Sequence, residues 1–466
     1  MNFGFALMKG RAEMMRHTVR GIVGASAVAI AALILPQAAL AADAPKTPTF
    51  TKDIAPIFQE KCEACHRPDS MAPMSLKEFA EARPWARSIK ARVSDRQMPP
   101  WQIDRNVGIQ KFKNDRSLTD DQIATIVRWV DAGAPQGDPK DMPAAIKWPT
   151  EQGWNFAAKF GQTEPDLIIR STPWTQKAGA QDAWWKPVVD TGVTEPRWVR
   201  AIEVRPSGVK GRKIVHHALA YLQQTEPPSS STPSGGGIFG GAGLFMEWAV
   251  GKEGEMMRPN SGKLILPGSK INWDIHYSNA GEDITDVVEL GLYFYPKGQE
   301  PKYRQQLGLY GTDREMSGGI DLAPNAITVN EGFFVMRQAG RIESFQPHMH
   351  LRGKAMLLEA VLPTGQKQVL TYVPNFQFQW MNTYQYGDNS APLLPKGTVM
   401  HITSWHDNTL ANKNNPDPDQ WIGYGDRTVD EMSHAWINIT YMNDDDFAGE
   451  VAARKEALSK STQQQQ

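Results

Sequence analysis

The chain has 466 residues, 41% of them hydrophobic and 22% charged, with a formal net charge of −1. That balance excludes a charge-rich disordered chain and gives no basic surplus for holding nucleic acid. The length allows about three domains.

Lys9, Arg11, Arg16 and Arg20 precede an apolar run from Gly21 to Leu35 and the triplet Ala39-Leu40-Ala41. This order predicts a cleaved secretory signal over residues 1–41. The run is short for a membrane span, and no later stretch approaches ~18 apolar residues. The mature chain is therefore expected to lie in the periplasm or outside the cell, with no membrane span.

The two cysteines stand in Cys62-Glu63-Ala64-Cys65-His66. This is the attachment pattern of a c-type haem, with two thioether bonds and His66 as proximal ligand. A redox disulfide is the alternative for such a pair. The histidine that follows at once, in an exported chain, favours haem. Ile54, Ile57, Phe58 and Cys62 repeat at helical spacing, which predicts a helix from Lys52 to Lys61. Thr119 and Gln122 have capping-box form ahead of a stripe of Ile123, Ile126, Val127 and Val130, and Gly133 and Pro135 end it. Two helices bracketing the site resemble a small class I cytochrome c over residues 44–140. Such a domain usually adds an axial methionine. Met98, in Gln97-Met98-Pro99-Pro100-Trp101, is the candidate, with Met71 and Met74 as competitors.

Gly133 to Pro149 reads as a linker with a boundary near residue 145. Beyond it, short β-rich runs alternate with Gly, Pro and Asp: Leu167–Ile169, Trp198–Val204, Ile271–Tyr277 and Val287–Tyr295. This texture predicts β-sandwiches, and the span calls for two, over 150–310 and 315–448. Residues 225–245 form a long loop, and 449–466 a tail in which a short polar helix from Val451 fades into Gln463 to Gln466, expected to be disordered. The expected fold is multidomain: a small all-α cytochrome c domain, then two all-β, jelly-roll-like sandwiches.

Eight of the ten histidines fall in the β-rich half. In Pro347-His348-Met349-His350, strand alternation places both imidazoles on one face, about 6.6 Å apart, close enough to share a metal ion. That geometry suits zinc, copper, iron or nickel. His216 and His217 are adjacent, so on a regular strand one is buried and one exposed, and both reach one ion only at a strand end, bend or bulge. His276 precedes Tyr277 on a strand. Met432 follows Asp430-Glu431, and a thioether selects Cu(I). His401 and His406 flank Trp405, where support of a site is expected rather than ligation.

In this order the motifs resemble the copper type II, ascorbate-dependent monooxygenases, the family of peptidylglycine α-hydroxylating monooxygenase and dopamine β-monooxygenase. The resemblance covers most of residues 165–445. It implies two copper-binding sandwiches facing each other across a solvent-filled cleft. His216, His217 and His276 would hold an electron-storing copper. His348, His350 and Met432 would hold the copper that meets O2 and hydroxylates an aliphatic carbon of a small organic substrate. The chain departs from the pattern in having no cysteine left to staple the sandwiches. Gln346, His434 and Trp436 replace the amidating enzyme's grip on a substrate carboxylate, so peptide amidation is not expected. These three become the candidate substrate contacts. The haem is expected to dock and leave on its linker, relaying electrons to the His216, His217 and His276 copper, with a reductant or redox partner protein as the source. Two other classes compete. A non-catalytic copper and haem electron-transfer protein would have the same ligands. A zinc hydrolase would need a carboxylate base and leaves Met432 idle.

Overall fold

The computed structural model describes residues 47–68, 70, 72–148, 153–226, 243–249, 252, 254–312 and 319–464. The signal segment, Met71, most of the 225–245 loop and the last two glutamines lie outside the described residues.

The N-terminal part is helical because its apolar residues recur at helical spacing. Phe50–Ile54 and Ala55–Lys61 run on as one helical stretch ending at Cys62. Thr119 caps Asp120–Asp131: its hydroxyl accepts from the Gln122 N–H at 3.1 Å, while the Gln122 side chain accepts from the Thr119 N–H. Gly133, at φ 87°, takes the left-handed turn that ends this helix. Phe50, Phe58, Ile126 and Trp129 pack between the helices.

The expected all-α cytochrome c domain is not present as a separate unit. The chain is 37% strand and 17% helix. Among the described residues, four α-helices, the longest of 12 residues, precede the first strand. Thr47 onward forms one compact unit with the sheets. The physical reason lies in the extended segment between the helices. Gly108 bridges Thr371, and Phe112 bridges Tyr386. Trp101, Ile103 and Phe112 join the core of the second sandwich. The presumed linker is also tied down. Pro135 and Gln136 carbonyls accept from Phe50 and Thr51 N–H groups, and the Trp148 indole donates to Glu63.

The remainder is β-sandwich-like. In the first sandwich, Arg197–Pro206 pairs with Val288–Phe294 in one sheet. Val215–Gln223, Gly243–Ala249 and Lys270–Tyr277 form the other. Val204 and Leu292 meet Trp273 and Ile275 between them. In the second, Tyr303–Gly311, Ser433–Met442 and Ala339–Met349 form one sheet. Ile327–Val335, Val399–Asp407, Gly353–Val361 and Lys367–Val373 form its partner. The two sandwiches are not separate. Tyr303 and Arg304 pair in parallel with Ser261 and Gly262, so one ten-stranded sheet passes through both. The tail is a helix, Asp444–Gln464. No helix among the described residues is long and apolar enough to cross a membrane.

Candidate metal centre

Ile271, Trp273 and Ile275 point into the first core, so His276 points the other way. His217 is its register partner. The register shifts beside this pair, so that Tyr277 faces Val215 and His216 is the extra residue. This bulge turns two adjacent imidazoles toward one point. Their Nδ1 atoms lie 3.3 Å apart. Two nitrogens each about 2.0 Å from a tetrahedral ion are separated by about that distance. Ligand atoms of His216, His217 and His276 all lie within 4.8 Å of one another. Burial, then the neighbouring imidazoles, push His216 down to about 4 and His217 well below the ordinary range. The rings are neutral at physiological pH, the form that binds metal. The Nε2 of His276 is 3.0 Å from an Asp182 carboxylate oxygen, and Trp184 stacks on the ring at 4.4 Å. A carboxylate behind an imidazole fixes its tautomer and aims the other nitrogen.

The second cluster is built the same way. Phe345 and Ile437 are register partners in the core, which turns Gln346, His348, His434 and Trp436 outward. The His348 and His350 rings are 5.4 Å apart. His434, across from His348, stacks on it at 4.6 Å. Burial, with His434 and His350 beside it, lowers His348 well below the usual histidine range. His350 sits just past the strand end, where its Nδ1 lies 3.1 Å from the Asp430 carbonyl. Donation there leaves Nε2 for a metal. The ladder ends where Met349 pairs with Ser433, so His350 and Met432 each lie one residue beyond it. The Met432 carbonyl accepts from His406 at 3.1 Å. Glu431, fully buried, accepts from the backbone N–H groups of His350 and Arg352 at 2.8 and 2.6 Å.

The two clusters face each other from different sandwiches. The Phe378 ring packs on His216 at 5.4 Å and on His350 at 5.9 Å. Close by, Tyr221, Leu244, Leu307 and Trp436 form an apolar cluster across the junction. Gln346 is buried and committed: it donates to Glu247 at 2.9 Å and accepts from the Thr383 hydroxyl. Trp436 belongs to the junction cluster, and His434 is buried on His348.

At the helical end, Cys62, Cys65 and His66 close the last turn, with the Cys65 and His66 N–H groups bonded to the Cys62 carbonyl. Burial and then Cys65 push the Cys62 thiol up to about 12. A redox-active pair needs the opposite shift, toward thiolate. The His66 Nδ1 lies 3.2 Å from the Met74 carbonyl, which directs Nε2 outward as a proximal ligand requires. Met98 lines a cavity of about 280 Å³ together with Trp101, Phe112, Leu118 and Ile123. Met74 packs on the helical core instead. Among the described residues, His216, His217 and His276 form a group that could hold a metal ion.

Asp182, Trp184, Phe378 and Glu431 were not singled out by sequence reasoning. Asp182-Ala183-Trp184-Trp185 gave an aromatic strand signal, but only pairing with His276 shows its purpose.

Fold and donors together describe a double β-sandwich protein with paired histidine clusters and a helical Cys-x-x-Cys-His segment. No protein-family profile matches the sequence, and no curated protein matches it. Among solved structures, the major capsid protein P2 of bacteriophage PM2 is similar at 10% identity, covering 59% of this chain and 99% of its own, with a TM-score of 0.27. An infectious bursal disease virus structure is similar at 9% identity over 65% of this chain and 76% of its own, with a TM-score of 0.16.

Proposed function

We propose that the protein is an exported copper monooxygenase that carries its own covalent haem and hydroxylates an aliphatic carbon of a small organic substrate. The observation that carries the reading is the facing pair of histidine clusters, with burial lowering the pKa of His216, His217, His276 and His348. Imidazole and thioether donors favour Cu(I). When bound, copper would supply the reduction of O2 that lets one oxygen atom enter a C–H bond. Insertion takes two electrons beyond those of that bond, and two sites can store one each.

The chain's own residues prepare this chemistry. Asp182 holds the His276 ring by its Nε2. Glu431 fixes the backbone of His350 beside Met432. Phe378 packs between His216 and His350. His66, Cys62, Cys65 and Met98 would hold the haem.

A second reading, electron transfer without a substrate, is favoured by one observation: Gln346, His434 and Trp436 are buried and engaged. The deciding experiment loads the exported protein with copper, reduces it, and follows O2 uptake while screening small organic molecules by mass spectrometry. A product heavier by one oxygen atom supports the monooxygenase. Reversible oxidation with no product across the screen supports the carrier.

A further inference from the structure

We propose that the open strand Ile327–Val335 of the second sandwich is an interface. Its occupant is a second copy of this chain, paired strand to strand about a two-fold axis at Glu331. Neither haem nor metal enters this pairing.

The strand lies at one end of its four-stranded sheet, with Val399–Asp407 beside it. The opposite end of that sheet is closed: the Asp104 and Ile109 N–H groups donate to the Tyr372 and Leu370 carbonyls, both at 2.9 Å. Among the described residues, no strand pairs with the other edge of Ile327–Val335. The Ala326 carbonyl accepts from the Asn408 N–H at 3.0 Å, and the Met336 N–H donates to the Thr398 carbonyl at 2.8 Å. Even-numbered residues therefore turn their backbone groups toward Val399–Asp407. Alternation turns those of Ile327, Val329, Glu331, Phe333 and Val335 to the open edge.

The same five residues carry their side chains to the outer face. Their even-numbered neighbours face inward: Phe334 meets Tyr310 edge-on at 5.3 Å, and the Asn330 amide lies 3.1 Å from His406 Nδ1. Ile327, Val329, Phe333 and Val335 are 52–64% exposed. A single exposed apolar residue is ordinary, but four at alternate positions of one strand make a stripe. Edge strands are commonly blunted by a lysine, a proline or a bulge. This strand has no lysine or proline, and its register with Val399–Asp407 runs unbroken.

The stripe is complementary to itself. Glu331 has Val329 and Ile327 on one side, and Phe333 and Val335 on the other. Antiparallel pairing about Glu331 sets Val329 opposite the partner's Phe333 and Ile327 opposite the partner's Val335, with free N–H groups against free carbonyls. A foreign strand would have to match this alternation, which the chain already carries. Glu331 meets its own copy at the axis, where like charges repel. Its carboxylate is drawn away from the edge, over the neighbouring strand, with Oε1 3.0 Å from His401 Nε2. Phe333 stacks on the same imidazole at 4.2 Å, which holds its ring in place for the partner.

The test is sedimentation of the full chain over a range of concentrations. A dimer that dissociates on dilution is expected, with no larger species, because pairing uses up both open edges. Val329→Lys and Phe333→Glu should each weaken it at least about tenfold. Both positions are exposed, so circular dichroism should stay as in the wild type. The two changes combined in one chain should recover affinity, since the new charges of opposite sign meet across the axis. Hydrogen exchange read at single residues should show the Val329, Glu331 and Phe333 amides protected in the dimer and released on dilution. A chain that is monomeric throughout would overturn the pairing, and if it then binds an extended Thr-Val repeat peptide, the edge serves a foreign strand instead. A dimer indifferent to both substitutions, a double variant weaker than either single one, or open-ended oligomers would overturn it as well.

Discussion

The buried carboxylate of Glu431 accepts the backbone N–H of His350 at 2.8 Å. One side chain thereby fixes both the residue next to it, Met432, and the turn that carries a histidine 81 positions earlier in sequence. The Arg352 N–H at 2.6 Å completes the clamp.

Glu431→Gln should therefore be costly despite its similar shape. An amide offers one acceptor oxygen and sets an N–H group against the second backbone donor. A loss of about 1–3 kcal/mol in unfolding free energy is expected. Copper should fall toward one ion per chain. Metal analysis and urea unfolding check both, and a variant that keeps two coppers with unchanged stability rejects the clamp.

Asp182→Asn should act on the other cluster alone. Removing the charge behind His276 is expected to weaken copper binding there by about 10–100-fold. Titration of the apo protein with cuprous ion should show one weakened and one unchanged site. Equal weakening of both would mean that the two clusters are not independent.

Met432→Ala should impair the His348 and His350 site while the His216, His217 and His276 site stays filled. Loss of both ions together would defeat the assignment of two sites. The readout is copper stoichiometry, with oxygen uptake expected to fall alongside.

Haem should resist extraction into acidified organic solvent, since thioether bonds at Cys62 and Cys65 survive acid. Met98→Ala should lower the reduction potential, as methionine ligation raises it. An unchanged potential would point to another distal ligand.

Asp286 sets a pH dependence of stability. Its carboxylate accepts from the Ser207 N–H and hydroxyl, both at 3.2 Å, yet burial pushes its pKa up to about 6. The folded state then holds this proton more tightly than the unfolded state. Stability should fall as pH rises from about 4 to about 6 and stay lowered above that. Asp286→Asn should remove the fall and gain about 1–3 kcal/mol at neutral pH. Parallel stability profiles for variant and wild type across that range would refute the assignment.

Local signals in the sequence were readable where one short segment decides the outcome. The Thr119 and Gln122 box caps its helix, and alternation turns His348 and His350 to one side. The adjacency of His216 and His217 left a strand end, bend or bulge open, and the register shifts beside them. What stayed hidden depends on partners far along the chain. Nothing in Trp101-Gln102-Ile103 announces Tyr384 or Tyr386, so the helical segment read as a free domain. Phe378 lies in an ordinary aromatic stretch until two histidines from different sandwiches close on it. Asp182 and Glu431 needed the histidines' neighbours, which only pairing reveals.

The parallel pairing of Tyr303 with Ser261 leaves the two halves with no seam at which to part. Beside it, buried Glu255 accepts from Lys263 of one half and from Gln305 and Asn438 of the other. Severing the chain there would take the Gln305 and Asn438 donors from the buried Glu255 carboxylate and open two strand edges to the neighbouring molecule. Either half made alone should precipitate, and the whole should melt in one transition. The spacing of the two clusters is then a property of a shared sheet, as unyielding as the ladder itself.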